Sequence, residues 1–269
     1  MRFSEILLIA TVVTGGIWLL DTLFFRHKRM MNVLLPSRNR QLSEPWWLEY
    51  SKSFFPILLI VFILRSFLAE PFRIPSGSMH PTLLEGDFIV VNKYDYGLKV
   101  PLFGFRLIEI DVPKRGDVIV FKHEENGESI DMIKRVIGLP NDHIQYKDKT
   151  LYINGEVIKQ DFIADKTDTN ERGAASPVRE LREYLDHVKH DIYVQPAMNH
   201  LGSYYQYDDV IVPQNSYFVM GDNRDNSKDS RVWGFVKDQD IQGRAFAIWM
   251  SWDPLGYKVR WDRIFSYIP

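Results

Sequence analysis

The chain has 269 residues, of which 45% are hydrophobic and 25% are charged, and its formal net charge is −2. This length allows one folded domain with additional segments, and the near-neutral charge provides no basic field that would attract nucleic acid. Cysteine is absent, which excludes disulfides, thiolate catalysis, iron–sulfur clusters and cysteine-ligated zinc.

The first predicted element is an apolar helix from Ile6 to Phe25, in which Asp21 is the single charge. Its length suits a crossing of the ~30 Å hydrocarbon layer of a bilayer. A secretory signal peptide is the alternative, but the apolar run is longer than a usual h-region and no small-x-small cleavage site follows it. We therefore predict a first transmembrane helix within residues 1–25.

A second apolar run extends from Phe54 to Ala69, and Arg65 near its end can reach the lipid headgroups. A buried core helix of this length is the alternative. Two long apolar runs so close together favour a membrane hairpin, so we predict a second transmembrane helix over residues 54–70.

The loop between the two runs, residues 26–53, is basic, with six positive side chains against two negative ones. Short basic loops stay on the cytoplasmic side of a membrane. Residues 71–269 are therefore predicted to lie on the opposite, extracytoplasmic side.

From Pro71 onward the sequence consists of short apolar runs bounded by turn residues, a pattern typical of strands. Five such runs lie at 87–92, 117–122, 132–137, 150–153 and 217–220. We predict a mainly β fold, in which residues 71–269 form an antiparallel sheet domain. The more polar stretch from about 156 to 212 is predicted to be an inserted smaller subdomain. It contains one weakly helical patch, formed by Val178, Leu181, Leu185 and Val188.

A candidate nucleophile, Ser78, lies in the sequence IPSGSMHPTLL just after the second apolar run. A serine needs a neighbouring base to take its proton. His80 is close in sequence, but no third group is available to orient its ring, so we interpret it as a surface histidine. Lys134 is the other candidate base, because burial in the apolar run 132–137 would lower its pKa. On the residues alone, an edge or surface lysine is the more usual interpretation of such a strand position.

The polar stretch 221–234 carries oxygen-bearing side chains at alternate positions from Asp225 to Asp229, as a calcium loop does. Ser230 stands where that loop needs glycine and Val236 where it needs glutamate, so the match fails. Interleaved acidic and basic residues instead indicate a polar network that holds a turn rigid. The histidines are scattered without ligand spacing, and neither a metal nor a cofactor is predicted.

Five segments in order resemble the conserved boxes of bacterial type I signal peptidases. They are Ser76–Met79, Gly86–Asp87, Lys114–Asp117, Ile133–Pro140 and Gly221–Gly234, and the match continues through both apolar runs and on to 243–250. The resemblance implies a membrane-bound serine endopeptidase that removes signal peptides from secretory preproteins after an Ala-x-Ala-like site. It also implies a monomer in the inner membrane with its catalytic domain on the periplasmic side.

The resemblance further implies a Ser/Lys dyad, with Ser78 as the nucleophile and a neutral Lys134 as the general base. Ser76 resembles the residue whose hydroxyl joins the Ser78 backbone N–H in the oxyanion hole. Ser227 resembles the residue whose hydroxyl orients the lysine amine.

Supporting and substrate-binding residues are implied in the same way. The supporting ion pairs are Asp222 with Arg135 and Asp229 with Arg231. The predicted lining of the shallow substrate pockets is apolar and consists of Phe72, Ile74, Pro75, Met79, Leu83, Ile89, Met132 and Ile133.

Two alternatives compete with this interpretation. A self-cleaving repressor of the Ser/Lys class would need a DNA-binding module where this chain has its apolar runs. A non-enzymatic, membrane-tethered β domain that binds extracytoplasmic polypeptides would leave the five ordered boxes unexplained.

Overall fold

The computed structural model describes residues 3–26, 44–63, 69–99, 106–108, 110–170, 172–196 and 207–269. The chain divides into two compact units, Met1–Ala69 and Glu70–Pro269.

The first unit contains helix α1 (Phe3–Leu20), which continues as a π-helical turn (Asp21–Phe25), and helix α2 (Trp46–Ile63). The two helices pack against each other, and the rings of Trp18 and Phe55 meet with centroids 5.3 Å apart. Ile6–Phe25 and Trp46–Ile63 are both long and apolar enough to cross a membrane.

The second helix differs from its predicted bounds of 54–70. It begins earlier, at Trp46, and residues 69–70 belong to a strand rather than to the helix. Glu70 precedes Pro71, and the residue before a proline is disfavoured in the α conformation, which explains why the helix does not extend to residue 70.

The remainder of the chain is mainly β. The strands are β1 (Ala69–Arg73), β2 (Asp87–Asn92), β3 (Leu98–Lys99), β4 (Arg106–Ile108), β5 (Val118–Glu125), β6 (Glu128–Gly138), β7 (His143–Lys147), β8 (Thr150–Ile153), β9 (Glu156–Val157), β10 (Gln160–Thr169), β11 (Ala175–Leu185), β12 (Val188–Val194), β13 (Tyr207–Ile211), β14 (Ser216–Met220), β15 (Val236–Lys237), β16 (Ile241–Asp253), β17 (Lys258–Val259) and β18 (Ser266–Tyr267). Each of the five predicted runs overlaps one of them, β2, β5, β6, β8 or β14.

The largest sheet has the strand order β1-β2-β16-β5-β6-β14-β15, and β17 and β18 also pair with β16. Its described strand pairings are antiparallel, so the predicted mainly β, antiparallel fold is confirmed. Strand β2 alternates buried and partly exposed side chains, whereas every side chain of β14 is buried. Buried apolar side chains of β2, β5 and β16 form one core beneath the loop that contains Ser78.

Two smaller sheets cover much of the predicted insertion, with strand orders β13-β7-β8-β9 and β10-β11-β12. The weakly helical patch predicted there is wrong, because Val178, Leu181 and Leu185 lie on β11 and Val188 lies on β12. The two strands form a tight hairpin in which Leu185 pairs with Val188. Cross-strand hydrogen bonds satisfy the backbone, and the helical spacing of these four side chains is incidental. That residues 156–212 are an insertion remains a prediction.

Candidate active site

Ser78 lies in a short 3₁₀ turn, Gly77–Met79, between extended residues on both sides. Ile74 and Met79 flank the serine and are buried in the core, so they anchor the turn to the sheet. Ser78 itself remains partly exposed. The turn therefore presents the serine hydroxyl at the surface of a rigid core.

Lys134 lies on β6, the strand predicted to carry it, and pairs with Ile119 of β5. Its side chain is 2% exposed. The Nζ atom lies 2.7 Å from Ser78 Oγ and 2.9 Å from the Ile133 carbonyl oxygen. The structure thus brings the two predicted members of the dyad within hydrogen-bond distance of each other.

The environment of Lys134 favours its neutral form. Burial is the largest effect and lowers its pKa from 10.5 to about 8, although Asp229 and Asp222 act in the opposite direction. Desolvation disfavours the charged ammonium form, because a buried group loses the water that would solvate it at an exposed position. A substantial fraction of Lys134 is therefore an uncharged amine, able to accept a proton, at mildly alkaline pH.

The two other predicted hydroxyls have different surroundings. Ser76 is exposed, and its Oγ lies 3.5 Å from Ser78 Oγ. Ser227 is buried, and its Oγ has no hydrogen-bond partner among the described residues. A Cβ on Gly221 would collide with both Ser227 Oγ and the Ser78 carbonyl oxygen. Gly221 is thus required for this close approach, and the lysine-orienting role of Ser227 stays a prediction.

Both predicted ion pairs are formed and are buried. Arg135 donates from Nε to Asp222 Oδ1 (2.9 Å) and from Nη2 to Oδ2 (2.8 Å). Arg231 binds Asp229 through the same two nitrogens, at 2.8 Å each. Burial acts to raise the pKa of each aspartate, but the adjacent guanidinium outweighs it and holds each pKa below its usual range. Both carboxylates are therefore ionised, and paired charges of this kind constrain the loop 221–231.

The predicted pocket residues divide by exposure. Ile74, Met79, Leu83 and Ile89 are buried in the core beneath the loop, with at most 2% exposure. The others retain accessible surface and are Phe72, Pro75, Met132 and Ile133. The first group can shape a pocket only from behind, while the second group can touch a bound peptide.

His80 is not a surface residue, and that interpretation is wrong. It is 4% exposed, and its Nδ1 lies 2.7 Å from Asp168 Oδ1 on β10. This contact could not be predicted, because 88 residues separate the two side chains and Asp168 lies on a strand of mostly polar residues.

A buried charge network connects the strands β11 and β12 to the loop 221–231. Arg224 donates from Nη1 to Glu183 Oε1 at 2.8 Å and also binds the other oxygen through Nη2.

His190 lies beside this ion pair: its Nε2 is 3.5 Å from Glu183 Oε2 and 3.7 Å from Asp222 Oδ1. Burial, followed by the nearby Arg135, lowers the pKa of His190, which favours its neutral form. Glu183 and His190 could not be recognised as part of the site from the sequence, since their partners lie far away in the chain.

Comparison with known proteins gives a consistent set of similarities. A family model described as "Signal peptidase, peptidase S26" matches residues 47–252. A protein named signal peptidase I from Pseudomonas aeruginosa is 42% identical, and the alignment covers 94% of each chain. Its namesake from Pseudomonas fluorescens is also 42% identical, over 94% of this chain and 93% of that one. A third, from Buchnera aphidicola subsp. Schizaphis graminum, is 38% identical over 94% of this chain and 96% of that one.

Proposed function

The chain belongs to the signal peptidase family, peptidase S26, and we propose that it is a membrane-bound endopeptidase that removes N-terminal signal peptides from translocated preproteins. One observation carries the proposal: Lys134 Nζ lies 2.7 Å from Ser78 Oγ in a buried setting. A neutral amine at that distance can take the proton of the serine. The name signal peptidase I, shared by relatives that align with nearly the whole chain, supports the substrate class.

The reaction proceeds in two halves. Ser78 Oγ attacks the scissile carbonyl while Lys134 takes its proton, and the protonated lysine then donates that proton to the leaving amine as the peptide bond breaks. The signal peptide is left as an ester on Ser78. Lys134, neutral again, takes a proton from a water molecule that attacks the ester, and returning the proton to Ser78 Oγ releases the signal peptide.

The negative charge that develops on the carbonyl oxygen needs hydrogen-bond donors. We assign the backbone N–H of Ser78 and the hydroxyl of Ser76 to this oxyanion hole. The exposure of Ser76 and its 3.5 Å separation from Ser78 Oγ support a position beside the attacked carbonyl.

The substrate is expected to bind in an extended conformation. Strand β1 forms one edge of the large sheet, so its outer side can accept a peptide main chain as an added strand. Phe72 lies on this strand, and Pro75 lies two residues beyond its end. Shallow apolar pockets formed by these two residues, Met132 and Ile133 would accept the small side chains of an Ala-x-Ala-like site.

The proposed setting of this reaction is the inner membrane. The helices α1 and α2 have the length and composition of membrane spans. The segment between them, residues 26–45, carries five positive side chains against one negative, which favours a cytoplasmic position for it. This orientation places residues 71–269 on the periplasmic side, where translocated preproteins emerge. We propose that the protein acts there as a monomer.

The decisive experiment is cleavage of a secretory preprotein by the detergent-solubilised full chain. We expect a single cut after the Ala-x-Ala-like site, identified by the mass of the mature product. The matched control is the same preprotein with tryptophan at the residue just before the cut, which shallow pockets should reject. A non-enzymatic polypeptide-binding domain would retain the preprotein without cutting it, and that result would contradict the proposal.

Ser76→Ala tests the oxyanion assignment. Loss of one oxyanion donor typically costs ~10²–10³-fold in kcat, or about 2.7–4 kcal/mol in the barrier. We expect a kcat loss of that order, with KM little changed, because the contact forms mainly in the transition state. Ser76→Thr keeps the hydroxyl and should retain most of the activity. Equal kcat values for the wild type and the alanine variant would remove Ser76 from the oxyanion hole.

A further inference from the structure

Asp168 of β10 reaches the loop that carries the nucleophile from a different sheet. Its Oδ1 lies 2.7 Å from His80 Nδ1, and its Oδ2 accepts a hydrogen bond from Asn223 Nδ2 at 3.1 Å. The Asp168 side chain is 15% exposed and that of His80 is 5% exposed. This carboxylate therefore contacts both loops that form the candidate active site.

Asn223, in turn, holds the backbone on both sides of the Ser78 N–H. Its Nδ2 donates to the Gly77 carbonyl oxygen at 3.0 Å, and its own backbone N–H donates to the Ser78 carbonyl oxygen at 3.1 Å. The Gly77 carbonyl and the Ser78 N–H belong to one planar peptide unit. A hydrogen bond that holds the oxygen therefore also sets the direction of the N–H group.

Two acceptors, the Gly77 carbonyl oxygen and Asp168 Oδ2, face the NH₂ group of the Asn223 side chain. Its Oδ1 is buried and has no hydrogen-bond partner among the described residues, so no donor there determines the orientation. A carboxylate can only accept hydrogen bonds, and Asp168 therefore requires the NH₂ group on its side. The flipped amide would direct Oδ1 at both the Gly77 carbonyl and the Asp168 carboxylate, which is repulsive.

His80 completes this arrangement. Because Asp168 accepts, His80 Nδ1 carries the proton and donates it, which holds the carboxylate at the point where it meets Asn223. The His80 backbone N–H also donates to the Gly77 carbonyl oxygen at 3.1 Å. Two donors therefore converge on this carbonyl, and Asp168 reinforces the orientation of the one that comes from a side chain.

We propose that Asp168 is a positioning residue for the oxyanion hole, acting through Asn223 on the Gly77–Ser78 peptide unit. The inference rests on the proposed function, since it concerns the N–H group assigned there as an oxyanion donor. It gives the sheet β10-β11-β12 a role in catalysis although it supplies no reacting group.

The first test is Asp168→Asn. This substitution keeps the shape of the side chain but replaces one of its two hydrogen-bond acceptors with an NH₂ donor. We expect kcat for preprotein cleavage to fall roughly 10-fold to 100-fold, less than the ~10²–10³-fold cost of deleting a donor outright. KM should stay within about twofold, because only transition-state binding is affected. The matched control is Asp165→Asn on the same strand, where the carboxylate is exposed and pairs with the exposed Arg179. This control should match the wild type.

The second test is a double-mutant cycle with Asn223→Ala. If Asp168 acts through Asn223, Asp168→Asn should lower kcat no more than about twofold further once Asn223 is alanine. Independent losses that multiply would overturn the proposal, as would a single Asp168→Asn variant with the kcat of the wild type. Failure of the proposed function is a separate result, since the wild type itself would then not cleave the preprotein.

Discussion

Ser78→Ala abolishes preprotein cleavage, with an expected loss in kcat of about 10⁴-fold or more, in the range found when other serine proteases lose their nucleophile. The alanine variant has no oxygen that can attack the scissile carbonyl, and Lys134 has no proton to take from that position. The measurement is single-turnover cleavage by the detergent-solubilised full chain, followed by the mass of the mature product.

The fold should survive this substitution. Ser78 is partly exposed in a turn that the buried residues Ile74 and Met79 anchor, and removal of one hydroxyl from such a position changes stability little. Thermal unfolding of both proteins provides the control. Continued cleavage after the same residue by a correctly folded Ser78→Ala protein would defeat the assignment of the nucleophile.

Lys134→Met is expected to be as inactive as Ser78→Ala, because residues that act as a unit do not contribute additively. In the wild type, the catalytic rate should rise as the pH increases through about 8, where the Lys134 amine loses its proton. The rate should level off above this pKa, since a general base works only in its neutral form. The measurement is the pH dependence of kcat/KM, which reports on the free enzyme.

The matched variant is Lys134→Arg. It keeps a positive charge near Ser78 but cannot lose its proton at any pH used in the assay. An inactive arginine variant supports a proton-accepting role, whereas one with substantial activity would show that Lys134 acts only through its charge. A wild-type rate that does not change between pH 6 and pH 10 would equally contradict the general-base assignment.

Lys134 also links stability to pH in a defined direction. Its pKa is about 8 in the folded protein, below the ordinary value of 10.5, so the unfolded chain binds more protons between these two values. Stability therefore rises with pH across this window, and the cost of burying the lysine is fully present below pH 8. Lys134→Met should accordingly raise the Tm at neutral pH while removing activity, a trade between stability and function.

Much of the strand pattern could be predicted because it depends on local chemistry. The run 150–153 coincides with β8, and 217–220 falls within β14, since short apolar runs bounded by turn residues have few other ways to bury themselves. The prediction of a helical patch around Val178 was wrong, because local spacing does not show whether a partner strand is available. Four apolar side chains at helical spacing are compatible with a hairpin once a partner strand satisfies the backbone.

The chemistry of the candidate site could be inferred only in part. From the residues alone, Lys134 could be a base or an ordinary strand lysine, and the family resemblance decided between the two interpretations. Asn223 lies within the polar stretch 221–234, but nothing in the sequence distinguishes it from its polar neighbours. Asp168 and Glu183 lie on strands whose alternating polar residues look like a solvated face.

By itself, the sequence determined the two apolar helices, the mainly β character of the rest and the family. Only the tertiary structure decided which side chains meet: Ser78 with Lys134 across 56 residues, and Asp168 with Asn223 across 55. The physical reason is that local periodicity reports which side of a strand is buried, whereas such contacts depend on how distant strands and loops pack together. The same packing withdraws Lys134 from water, and the low pKa of its amine follows from that burial.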